Sequence, residues 1–313
     1  MWTYLLRRVF AVIPVLLVVT VIVFLMLRLT PGDPAANIAG DAATSEDIEQ
    51  LREELGLTRP LPVQFGIYLK NLFLGDFGES FYYKRPVTRM IADGVEPTVS
   101  LALFTIVIAC AVAVPLGTLA AYRQGSWLDR VVMGFSVIGF SVPVFVIGYV
   151  LIYVLSVKLE WFPVQGYQAI ADGIGGWAYR LILPSSALSV IFIALIARIT
   201  RTSVLEVLNE DYVRTARAKG LPQFKVLTRH ALRNAAVPIV TIIGIAIAIL
   251  VSGVVVTESV FVIPGLGSLT LDAIQGRDYP TVQALIILFS VVYVVINLLI
   301  DVIYTLLDPR IRY

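Results

Sequence analysis

The chain has 313 residues, 58% of them hydrophobic and 15% charged, with a formal net charge of +2. Ordinary soluble proteins carry roughly 25% charged residues, so water is not the main solvent of this chain, and a disordered, a secreted disulfide-rich or a nucleic-acid-binding protein is excluded. One cysteine, Cys110, and one histidine, His230, leave no intrachain disulfide and no thiolate or imidazole cluster for a metal.

A bilayer core about 30 Å thick needs about 20 apolar residues at helical rise. Six uncharged runs approach that length: Val9–Leu27, Thr98–Tyr122, Val131–Val157, Leu181–Ala197, Val237–Thr257 and Val282–Ile300. The first, preceded by Arg7 and Arg8, exceeds the roughly 7 to 15 residues of a signal-peptide core and lacks a small-x-small cleavage site after it, so it is expected to be retained.

Residues 30–97 follow as a long polar segment with helical signals. Thr44 and Asp47 have capping-box spacing, Ile48, Leu51 and Leu55 share a helical face, and Gly56 is a natural stop. A second amphipathic stretch runs from Pro62 to Leu74, with Phe65, Tyr68, Leu69 and Leu72 available for burial and Gly75 behind it. The segment reads either as a cap on the spans or as a docking surface for an external partner.

The third run contains Pro143, where a proline can kink a helix. Gly173, Gly175 and Gly176 read as turn glycines before the fourth run. That run is the shortest, but Arg180 and Arg198 at its ends can reach the interface while their stems stay in lipid.

Residues 198–236 carry Glu206, Glu210, Asp211 and eight basic residues, so they cannot enter the bilayer. Val204 to Lys219 reads as one helix ended by Gly220, and Pro222 opens another that runs to about Asn234, the two joined by Leu221 into an elbow. Val204, Leu205, Leu208, Tyr212 and Val213 give the elbow an apolar face that must pack on something.

Six spans place both termini on one side, and the positive-inside rule makes that side cytoplasmic. It then holds Arg7, Arg8, Arg123, Arg130, the elbow's basic residues, Arg310 and Arg312, while the two short exterior loops hold only Lys158, Arg180 and Arg277. The expected fold is an all-α integral membrane protein, 1–313 as one transmembrane domain.

No G-x-x-x-x-G-K-[ST] loop is present, so ATP hydrolysis by this chain is not expected. The spans carry no ionisable residue near their centres, and Glu258 and Asp301 fall at span ends. A neutral lining argues against an ion-coupled secondary transporter, and energy is expected to enter through the elbow. An interaction scaffold with no solute flux is the third reading.

Asp211-Tyr212-Val213-Arg214-Thr215-Ala216-Arg217-Ala218-Lys219-Gly220, then Arg229-His230-Ala231-Leu232-Arg233-Asn234 and Pro238, resembles the coupling loop of the dipeptide/oligopeptide class of ABC importer permeases. Pro31-Gly32-Asp33-Pro34, Thr257-Glu258, Pro264-Gly265-Leu266-Gly267, Arg277-Asp278-Tyr279-Pro280 and Asp308-Pro309-Arg310 extend the resemblance over nearly the whole chain, and the long exterior segment points to the B-type subunit. Set on Gly220, the general importer pattern E-A-A-x-x-x-G places its opening on Arg214, Thr215 and Ala216, so a basic residue replaces the acidic one.

The resemblance implies a bacterial inner-membrane pore shared with a homologous C-type permease, two cytoplasmic ABC ATPase subunits that bind ATP and magnesium, and an exterior solute-binding protein. It implies no cofactor on this chain. The expected ATPase contacts are Asp211, Tyr212, Arg214, Thr215, Ala216, Arg217, Ala218, Lys219, Gly220 and Leu221. Hydroxyls and glycines inside the spans, namely Ser136, Ser141 and Gly148 in the third and Thr241, Ser252 and Gly253 in the fifth, are candidates to line a path for short peptides or to let helices approach closely.

Overall fold

The computed structural model describes residues 2–29, 34–39, 44–54 and 56–307; side chains at 2–9, 27, 34, 37–38, 51, 54, 252–253 and 304–307 lie outside that description. Pro31-Gly32-Asp33, Leu55 and Asp308-Pro309-Arg310 fall outside it, as do Arg312 and the side chains of Arg7, Arg8, Leu51 and Ser252.

Among the described residues the regular elements are all helices: α1 (Trp2–Leu29), α2 (Pro34–Ala39), α3 (Ser45–Glu54), α4 (Leu61–Phe73), α5 (Val87–Tyr122), α6 (Trp127–Ser141), α7 (Val144–Leu151), α8 (Ile174–Leu208), α9 (Asp211–Ala218), α10 (Gln223–Lys225), α11 (Ala236–Gly253), α12 (Val255–Phe261), α13 (Leu266–Gln275) and α14 (Tyr279–Leu307). π-helical stretches extend α7 over Ile152–Lys158 and α10 over Val226–Leu232.

Three helices are long and apolar enough to cross a membrane, α5, α8 and α14, and the number rises to 6 if each of three bent pairs counts as one span. One of those pairs, α12 with α13, bends by 91° and was not among the six runs; within α1 (Trp2–Leu29) the described side chains form the apolar stretch Phe10–Met26.

Two continuous expectations are corrected, and the kink considered at Pro143 is a full break. The third run breaks at Pro143 and turns through 101°, because proline lacks the N–H that would carry the ladder across. The fifth run breaks at Val254 between α11 and α12. The helix read over Val204–Lys219 is two helices, since Glu210 is extended (φ −70°, ψ 145°) and separates the end of α8 from α9. Gly175 and Gly176 lie in the first turn of α8, and only Gly173, at φ 129°, is a turn residue.

The glycine stops have a common geometry. Gly56, Gly75 and Gly220 take φ of 65°, 73° and 75°, the left-handed region that side chains resist. After each, the next N–H returns to a carbonyl five residues back: Leu57 to Arg52, Asp76 to Asn71, Leu221 to Ala216.

The chain divides into two compact units, the larger taking in Val95–Ser268 and the chain from Val292, the smaller Arg7–Gly94 and Leu269–Val291. In the smaller unit, Thr44 and Asp47 close a reciprocal capping box at the start of α3, and the Thr44 donors hold the Asp47 carboxyl below the ordinary aspartate range. Arg28 of α1 donates to Gln64 Oε1 of α4 at 2.6 and 3.0 Å and lies 3.6 Å over the Phe24 ring.

Helix α8 is the buried centre of the larger unit, packed against α6, α7 and α11. Close approach depends on two glycines. A Cβ at Gly117 would lie 2.8 Å from Thr200 Cβ, and one at Gly139 would lie 3.2 Å from Ala194 Cβ, so α5 and α6 reach α8 at near-backbone distance.

Candidate functional site

The elbow is built on α8. Its last turn ends at Leu208, Asn209 Nδ2 bonds back to Leu205 O at 3.1 Å, and the extended Glu210 redirects the chain into α9. Asp211 opens α9 and Arg217 lies in its last turn, each sign suited to its end of the helix dipole.

The apolar face predicted for the elbow has a partner within the chain. Val213 from α9, Val226, Leu227 and Ala231 from the stretch after Pro222, Val204 and Leu208 from α8, Ile239 from α11 and Ala121 from α5 form one buried cluster, with Leu221 against it. The elbow is therefore packed on α5, α8 and α11 rather than hanging from a tether.

This packing divides the expected contact residues. Ala216 is 6% exposed and therefore buried, and Leu221 is half-buried. Asp211, Tyr212, Arg214, Thr215, Arg217, Ala218, Lys219 and Gly220 are exposed. Tyr212 is 44% exposed; partial burial and then the Glu210 carboxylate push its phenol up, against a hydrogen bond with Asn234.

One outward residue was missed. Phe224 is 76% exposed, an apolar ring four positions beyond the Gly220 turn. Its spacing from Leu227 and Ala231, i+3 and i+7, puts it on their face at the ordinary helical period, so no sequence signal marked it, and the π-helical turn over Val226–Leu232 shifts that phase.

The elbow's root is pinned by an ion pair. Arg201 on α8 donates through Nε to Asp129 Oδ1 at 2.5 Å and through Nη2 to Oδ2 at 2.8 Å, and Gly125 N–H donates to the same carboxylate at 2.9 Å. The sequence showed both residues only as part of a charge count.

Two turn motifs also acquire a physical role. In the larger unit, the buried Glu258 carboxylate accepts from Thr98 Oγ1 at 2.6 Å and Ser268 N–H at 2.8 Å, with a further bond from Gly267 N–H. A Cβ on Gly265 would strike that carboxylate, so Pro264-Gly265-Leu266-Gly267 wraps Glu258 because its glycines leave room. In the smaller unit, buried Asp278 at the start of α14 accepts from Ser80 Oγ at 2.5 Å, Thr281 Oγ1 at 2.6 Å and Phe81 N–H at 2.9 Å.

The hydroxyls considered for a substrate path bond within their own helices. Ser136 donates to Val132 O at 2.9 Å, Ser141 to Val137 O at 2.9 Å and Thr241 to Val237 O at 2.7 Å. Ser136 is buried, Thr241 half-buried and Ser141 exposed.

With this geometry established, comparison with known proteins gives one consistent result. Residues 113–313 match the family described as binding-protein-dependent transport system inner membrane component, and residues 1–102 match the corresponding N-terminal family. The chain is 52% identical, over the full length of both proteins, to a probable peptide ABC transporter permease protein of Sinorhizobium fredii. It is 44% identical over its full length to the glutathione transport system permease protein of Escherichia coli O1:K1, also matched in full. Among solved structures, an inward-facing form of the MetNI methionine ABC transporter aligns with a TM-score of 0.59 at 19% identity, over 70% of this chain and 96% of the other, a likeness of fold. The chain belongs to the inner-membrane components of binding-protein-dependent transport systems.

Proposed function

We propose that the chain is the B-type permease subunit of an ATP-driven peptide importer. Six spans with both termini cytoplasmic, residues 1–313 as one transmembrane domain, leave 30–97 outside and 198–236 inside. The pore is completed by a homologous C-type permease, an exterior solute-binding protein delivers substrate, and two ATPase subunits carry ATP and magnesium.

The observation that carries this reading is the elbow. A polar, eight-residue helix is clamped onto α5, α8 and α11 by its inner face and presents Tyr212, Arg214, Thr215, Ala218 and Lys219 outward. Phe224 supplies a second exposed ring, and exposed aromatics with flanking guanidinium groups are what a protein groove binds best. Closure of an ATPase pair around nucleotide pushes on this face, and the buried cluster transmits the push to the spans.

Reconstitution tests it. Proteoliposomes holding this chain, the second permease and both ATPases are expected to accumulate a labelled dipeptide only with ATP inside and the binding protein outside. Accumulation by this chain alone would refute the proposal.

A further inference from the structure

Between α5, α6 and α8 lies an open cavity of ≈ 380 Å³ lined throughout by apolar residues, among them Leu116, Trp127, Val131, Phe135, Ile193 and Ala197. Its floor is deep: Ile193 and Ala197 of α8 are buried, whereas Val131 and Phe135 on α6 remain exposed. Such a groove is not merely lipid-facing helix surface, because it reaches between two helices to a third.

The rim is of opposite character. The turn from α5 to α6 carries Arg123 and Arg130, both exposed, and Trp127, which is 73% exposed at the start of α6. Asp129, in the first turn of α6, is the only acid between Arg123 and Arg130, and it is buried and bound bidentately by Arg201. Arg201 thus takes both carboxylate oxygens; Arg130 lies within the field of that carboxylate but is exposed, as Arg123 is, beside an apolar slot. Arg198, exposed one residue after Ala197, adds a third on α8.

We propose that this groove binds an anionic phospholipid, with an acyl chain between α5, α6 and α8 and the phosphate on Arg123 and Arg130. A phospholipid matches both halves of the site at once, since its tail fits neutral walls and its phosphate pairs with a guanidinium rim. An exposed tryptophan where the two halves meet is the side chain that favours the headgroup level of a bilayer. A transmembrane helix of a partner would fill the slot but leave the arginines without an anion.

The site rests on the topology proposed above, which places this turn at the cytoplasmic leaflet. That reading has a separate readout: Gln124→Cys in a Cys110→Ala background is expected to react with an impermeant maleimide only from the inner face. Lipid binding is read on the assembled transporter by native mass spectrometry, with phosphatidylglycerol and phosphatidylcholine of identical chains.

Phosphatidylglycerol is expected to be retained about fivefold more than phosphatidylcholine, and Arg123→Gln with Arg130→Gln to abolish that preference while sparing phosphatidylcholine. Val131→Trp, which fills the slot, is expected to lower retention of both. Equal retention of the two lipids by the unaltered complex, or an undiminished preference in the double variant, overturns the proposal. So does a photocrosslinker at Phe135 that captures the second permease instead of lipid.

Discussion

Thr98 Oγ1 stands between two helix ends, donating to Glu258 Oε1 at 2.6 Å and accepting the Leu266 N–H at 2.8 Å. One hydroxyl thereby connects α5, α12 and the start of α13 inside the larger unit.

Both partners of that hydroxyl are buried, so Thr98→Val leaves a carboxylate and a backbone N–H each one bond short. A loss of about 1–3 kcal/mol in all is expected, since Glu258 keeps its donors from Ser268 and Gly267. Glu258→Ala should cost more than Glu258→Gln, because the amide keeps an oxygen for one of the donors. Thermal unfolding of the purified complex measures the order, and an unchanged midpoint for Thr98→Val would contradict the role given to the clasp.

The Arg201 and Asp129 side chains are only 18% and 7% exposed, so the pair is largely desolvated. Removing either partner strands the other and should cost roughly 3–5 kcal/mol, whereas replacing both by apolar residues of similar volume should cost far less. A double-mutant cycle with Asp129→Leu and Arg201→Met tests this. Additive effects of the two substitutions would show that the pair does not hold α6 to α8.

Elbow substitutions should separate by the direction their side chains face. Tyr212→Ala and Phe224→Ala are expected to leave the unfolding midpoint within about 0.5 kcal/mol of wild type, as exposed substitutions do, while cutting ATP-dependent uptake. Ala216→Leu puts a larger side chain at a buried position of α9 and should cost about 1–3 kcal/mol of stability before any effect on docking is seen. Comparing unfolding with uptake for the three variants decides it; a destabilised Phe224→Ala would be the wrong outcome.

Val262 ends α12 at φ 51°, ψ 52°, a left-handed position that a β-branched side chain resists. Val262→Gly should relieve about 1–2 kcal/mol of local strain, partly offset by the greater freedom of glycine in the unfolded chain. Midpoints are expected to rise in the order valine, alanine, glycine. A fall at glycine would mean that the exposed Val262 side chain contributes more than its backbone costs.

Much of the helical punctuation was legible from neighbouring residues. Gly56, Gly75 and Gly220 stop helices because the left-handed conformation needed there is a property of one residue and its immediate turn. The Thr44–Asp47 box forms for the same reason. The break at Glu210 was not legible, because Val204 to Lys219 contains neither glycine nor proline, and what turns the chain there is the burial of Val213 against distant residues.

The candidate site was legible as a segment but not as a surface. The charges of 198–236 and the motif ending at Gly220 marked the elbow, yet Ala216 looked like a contact and Phe224 did not. Local pattern shows that a helix has an apolar side; it does not show whether this chain or another molecule covers it.

Sequence alone determined that the chain is helical, apolar enough for a bilayer, and furnished with one polar elbow, because hydropathy and glycine conformation act over a few residues at a time. Tertiary structure alone decided that Glu258 meets Thr98, that Asp129 meets Arg201, and that Ser80 meets Asp278. These partners lie 160, 72 and 198 positions apart, and no local periodicity reports such distances. Buried charge and polar groups must find donors or counter-ions wherever the fold supplies them, which is a condition on three-dimensional neighbours rather than on neighbours along the chain.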